Sequence, residues 1–157
     1  MTNELQLLIE ALEKKKTILQ DILQKSKAQN DVASLENFDA KQFDQLVDDK
    51  AELLQQMESI DDGFDAVYHR IKDEMLQKKD DFKTEIARMQ QLIRETIDLG
   101  AQIHTTEVRT KEKLGVAIER SRQDLRRQKQ SSQTVMDYYK ANSQLNYTES
   151  YFIDQKK

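Results

Sequence analysis

Apolar residues recur at steps of three and four along most of this chain, and that spacing predicts amphipathic helices. The first predicted helix covers about residues 2–29. Its stripe is Leu5, Leu8, Leu12, Leu19 and Ile22, widened by Ile9, Ile18 and Leu23. Lys15 falls on a seam position, where its stem can pack while its ammonium reaches water. Residues 30–39, NDVASLENFD, are polar and lose the helical period, so they read as a connection. The next start is well marked. Asp39 is a good N-cap and Gln42 stands three residues on, the spacing of a capping box. Phe38 and Phe43 flank the cap as a hydrophobic staple. A 3.5-residue repeat then runs through Phe43, Leu46, Lys50, Leu53, Met57, Ile60, Phe64, Val67 and Ile71. Such a repeat calls for a partner helix wound around it. Lys50 is its one polar member. Gly63 sits inside the run at a cost of about 1 kcal/mol relative to Ala, and reads as a point of close helix approach or a slight bend.

The phase is lost at LQKKDD, residues 76–81, where Asp80 or Asp81 can cap a new helix. The third segment carries Phe82, Ile86, Met89, Ile93 and Ile97, then Ile103, Val108, Leu114, Ile118 and Leu125. It meets no strong stop before about residue 141. The expected architecture is therefore all-α: an elongated, antiparallel, coiled-coil-like bundle of two to three long helices in one domain, 1–157. The helices cover about 2–29, 39–77 and 81–141, with an irregular aromatic tail at 142–157. Pairing outward from the break sets Asp39 opposite about Glu119. The third helix beyond that point then lacks a partner within the chain.

Composition agrees with narrow apolar stripes on polar helices. The 157 residues include no Pro, Cys or Trp and three Gly; charged residues make up 34% and the hydrophobic set 37%. Lack of Pro leaves long stretches with nothing to break a helix. Lack of Cys removes disulfides and thiolate chemistry. No run approaches the length of a membrane span, and the N-terminus has no signal-peptide pattern. These features point to a cytoplasmic protein. Net charge is −4, unevenly spread: residues 1–100 hold 22 acids and 14 bases, residues 101–157 hold 7 and 11.

Candidate chemistry is sparse. His69 and His104 are far apart and neither has a second ligand at helical spacing. Asp61 with Asp62 and Asp80 with Asp81 are adjacent pairs, which point to different helix faces. No phosphate-binding glycine loop, nucleophile elbow or Glu-x-x-His repeat is present. The expectation is a protein that is not an enzyme and uses no cofactor or metal. Nucleic acid is not an expected partner either. The run 120–130, RSRQDLRRQKQ, is basic, but no zipper follows it and the pI is about 5.3, far below the value above ~9 usual for a nucleic-acid reader.

The C-terminal arm carries the candidate partner-binding residues: Ile118, Leu125, Val135, Met136, Tyr138, Tyr139, Tyr151 and Phe152. Five of ten aromatics lie in the last twenty residues. Aromatics in a poorly covered segment suit a docking surface or packing on the chain's own bundle.

Three stretches add a resemblance. LIEALEKKKTILQDILQKSKAQ, FDQLVDDKAELLQQMESIDDGFDAVYHRI and MQQLIRETIDLGAQIHTTEVRTKEKL look like the three helices of the FlgN family of flagellar export chaperones, and YFIDQKK is similar to its clostridial-type endings. The resemblance implies a cytoplasmic protein that binds the C-terminal segments of flagellar hook-associated proteins. It would prevent their premature assembly and deliver them to the type III export machinery. Binding would run through the C-terminal part of the chain by helix-in-groove or coiled-coil pairing. The competing reading is a structural coiled-coil scaffold, including a homodimer, that uses the same heptads without an export substrate.

Overall fold

The computed structural model describes residues 1–128. They form three helices, α1 (Thr2–Ala33), α2 (Ala40–Gln77) and α3 (Lys83–Gln128), and no strand among the described residues. The chain is a helical bundle, as its apolar spacing requires. The expected end of α3 near residue 141 and the tail at 142–157 lie outside the described residues.

The α1–α2 connection is shorter than expected. α1 continues through Asn30 to Ala33, because Val32 and Ala33 are buried. The last turn tightens, with Ser34 N donating to Asp31 O and Leu35 N to Val32 O. The Ser34 hydroxyl also donates to the free Asn30 carbonyl at 2.7 Å. Such bonds satisfy carbonyls that a helix end leaves without partners.

The start of α2 is as read. Gln42 N donates to Asp39 Oδ1 at 3.1 Å, and the Phe38 and Phe43 rings stand 5.7 Å apart. The break before α3 also falls where expected, at residues 78–82. Its cap does not: Ile86 N bonds Phe82 O at 2.9 Å, so Phe82 holds the cap position rather than Asp80 or Asp81.

The residues gather into two compact units. The first joins Met1–Asp21 to Leu53–Ala101, and the second joins Ile22–Glu52 to the described part of α3 from Gln102. In the first unit, Leu5, Leu8, Ile9 and Leu12 pack with Ile71, Met75, Met89 and Leu92. Lys15 reaches Asp61 at 2.8 Å, and Lys16 reaches Glu95 at 2.8 Å. The stem of Lys15 thus lies along the seam and its head finds a carboxylate. Rising numbers on α1 meet falling numbers on α2, so the two run antiparallel, while Glu13–Arg88 and Lys16–Glu95 set α1 and α3 parallel.

The second unit packs Val32, Ala33, Phe43, Val47, Leu114 and Ile118 together. Its helix directions are the same: Asn30 meets Thr110, and Ser34 meets Lys113 at 2.8 Å.

Two expectations change. Ile93, Ile97 and Val108 do not line the core; they are 39%, 63% and 36% exposed. α3 turns Met89, Leu92 and Thr96 inward in the first unit, and Ile103, Glu107, Thr110 and Leu114 inward in the second. Gly63 is exposed, and a Cβ built there meets nothing within 4 Å. It marks no close approach of another helix.

Candidate functional site

In the second unit a layer of polar side chains crosses the core. Lys50 is the polar member of the α2 seam, and its register sets it on the buried face of α2 that also carries Phe43 and Val47. It is 0% exposed. Its Nζ donates to Gln29 Oε1 of α1 at 2.7 Å and to Glu107 Oε1 of α3 at 2.5 Å. Gln29 and Glu107 are 1% and 2% exposed, so one ammonium ties all three helices together in a dry environment. Burial pulls the Lys50 pKa below its ordinary value, and the neighbouring Glu107 carboxylate opposes that shift.

The layer is only partly satisfied. Gln29 Nε2, Glu107 Oε2 and the Ser26 hydroxyl are buried without hydrogen-bond partners. Each such group costs about 1–3 kcal/mol. One turn away, the Thr110 hydroxyl is close to both Thr106 O and Asn30 Oδ1. The arrangement fixes helix register. It offers no nucleophile with an activating base, and among the described residues no three His, Cys, Asp or Glu side chains gather as a metal site. His69 is exposed and its Nδ1 stands 2.8 Å from Asp65 O.

Lys50 was visible in the sequence as a polar residue on an apolar seam; Gln29 and Glu107 were missed. The signal for Glu107 was present, because 103, 107, 110 and 114 alternate steps of four, three and four.

The first unit carries a second feature. Ile86, Gln90, Ile93 and Ile97 also step by four, three and four, one face away from the inward Met89, Leu92 and Thr96. At 100° per residue this stripe lies on the flank of α3 opposite Arg88 and Glu95, the residues that reach α1. Ile86 is half-buried, Gln90 exposed, and the other two are exposed isoleucines. Ile86, at one end of this stripe, packs against the core of the first unit, which leaves Ile93 and Ile97 as its exposed apolar part.

The residues expected to bind a partner fare differently. Ile118 is a core residue, 8% exposed and packed in the cluster of Phe43 and Leu114. It stands just inside the paired length, which ends near Glu119, so the chain's own core covers it. Leu125 falls on α3, with its side chain outside the described ones. Val135, Met136, Tyr138, Tyr139, Tyr151 and Phe152 lie outside the described residues.

No curated protein and no solved structure matches this chain. A family match does exist, and it overturns the resemblance to flagellar export chaperones: residues 5–153 match the family described as "Domain of unknown function (DUF1993)". The stretches behind that resemblance are apolar steps of three and four, which any helical family shares. Since the match takes in all three helices, the chain belongs to the DUF1993 family.

Proposed function

We propose that this protein is a non-catalytic helical scaffold that binds a helix of another polypeptide along α3. The flagellar assignment loses its basis with the family that carried it. What supports the class is one observation: Ile93 and Ile97, four residues apart on α3 in the first unit, are 39% and 63% exposed. A helix that turns Thr96 inward while leaving isoleucines one face away has apolar surface to offer beyond its own fold. A cytoplasmic location belongs to the same reading. The chain has no Cys to require an oxidising compartment, and among the described residues no helix is long and apolar enough to cross a membrane.

A photo-reactive phenylalanine analogue placed at Ile97, and separately at exposed Gln55 as a control, tests the proposal in cells. The expected outcome is a discrete adduct from position 97 and none from position 55. Equal labelling at both positions, or none at either, overturns it.

A further inference from the structure

We infer that the second unit opens cooperatively while the first stays folded, and that the buried layer of Lys50, Gln29 and Glu107 sets how readily it does so. The two cores differ in kind. Of the six polar or charged side chains buried among the described residues, Ser26, Gln29, Lys50, Glu107 and Thr110 lie in the second unit and Thr96 in the first. Thr96 is satisfied within its own helix, by Ile93 O at 2.7 Å. The second unit also has less apolar bulk to set against its polar layer. Its core cluster holds six buried side chains, two of them Val and one Ala, where the first unit's holds eight, all Leu, Ile or Met.

Opening returns these polar groups to water. Keeping the Lys50 and Glu107 charges dry carries a desolvation cost that their attraction roughly cancels, so the pair adds little net stability to the closed unit. Gln29 Nε2, Glu107 Oε2 and the Ser26 hydroxyl are buried without a hydrogen-bond partner, and each gains one from water when the helices part. The first unit differs: the buried oxygens of Glu4 and Glu95 each face an ammonium at 2.8 Å. Parting its helices chiefly exposes apolar side chains, which the hydrophobic effect opposes. The opening of the second unit is also concerted. One ammonium bonds both α1 and α3, so loss of either helix weakens the hold on the other. The open form presents Ile103, Leu114 and Ile118 of α3, which the closed form buries. Ile93 and Ile97 take no part, since they lie in the first unit.

Native-state hydrogen exchange of the full chain, read amide by amide in denaturant below the unfolding transition, tests this. The amides of Gln29, Val47 and Thr110 should exchange about tenfold or more faster than those of Leu12, Ile71 and Leu92, through one shared opening. Equal protection in the two units, or weaker protection in the first, overturns the inference. Gln29→Leu/Lys50→Met/Glu107→Leu replaces the whole layer and should slow exchange in the second unit about tenfold or more. An unchanged rate there overturns the role of the layer. Gly63→Ala, in the first unit, probes the separation of the units without touching the layer. It should slow the first unit's amides about two- to fivefold and leave the second unit's unchanged. Slowing of both alike means that the chain opens as one, and removes the second unit's separate opening.

Discussion

Lys50 and Glu107 face each other at 2.5 Å, with 0% and 2% of their side chains exposed. Water is excluded, so neither charge is tolerable without the other. Lys50→Met should therefore destabilise the protein by about 3–5 kcal/mol, because it strands the Glu107 carboxylate. Lys50→Met/Glu107→Leu should recover most of that loss, as apolar replacements of a buried pair are often neutral or stabilising by about 1–4 kcal/mol. Urea denaturation of the single and double variants checks both. A single variant that unfolds at the wild-type midpoint refutes the burial of the pair.

The same pair gives a pH dependence. Burial holds the Lys50 pKa below its ordinary value of 10.5 in the folded chain. Between the folded pKa and 10.5 the unfolded chain therefore binds more protons than the folded one, and stability rises with pH across that window. The interval ends at the unfolded value, above which the two states titrate alike. The double variant, which lacks both groups, is the reference. The stability difference, wild type minus double variant, should grow as pH climbs towards 10.5. Denaturation midpoints measured in steps above pH 8 would show it; a flat or falling difference contradicts the depressed pKa.

The helices and their joins were legible because their signals are local. Asp39, Gln42, Phe38 and Phe43 announce a helix start within six residues, and the α2 seam needs only its own spacing. The end of α1 was not legible. Asn30, Asp31 and Ser34 give the run a loop's polarity, while its helical state depends on Val32 and Ala33 meeting the distant Phe43 cluster. The inward face of α3 was hidden for a related reason. Periodicity puts isoleucine inside, but Thr96, Glu107 and Thr110 take core positions because each finds a hydrogen-bond partner there. Thr96 bonds Ile93 O of its own helix, whereas the partners of Glu107 and Thr110 stand on α2 and α1, and those partnerships are tertiary. Part of the candidate site was nonetheless within reach: an unaccompanied lysine on a seam demands a carboxylate at seam spacing elsewhere, and Glu107 is one.

Gly63 supplies a third prediction. It lies inside α2, exposed, with open space where a Cβ would stand. Gly63→Ala removes backbone freedom from the unfolded chain and meets no steric resistance in the folded one. A gain of about 0.5–1 kcal/mol follows, or a rise in Tm of roughly 1–4 °C for a chain of this size. Gly115 on α3 has the same open surroundings and should behave alike. Calorimetry decides it. A loss of stability at position 63 would mean that another surface covers this face in solution.

The last prediction separates the two faces of α3. Leu92 is 0% exposed and packs among Leu8, Met75 and Met89, whereas Ile97, five residues on, is 63% exposed. Truncating Leu92 leaves a cavity that rigid neighbours fill only in part, so Leu92→Ala should cost about 2–5 kcal/mol. Ile97→Ala removes a side chain that water already reaches, and its effect on the monomer should stay within about 0.5 kcal/mol. Chemical denaturation measures both effects. If Ile97→Ala costs as much as Leu92→Ala, residue 97 belongs to the core and not to a docking face.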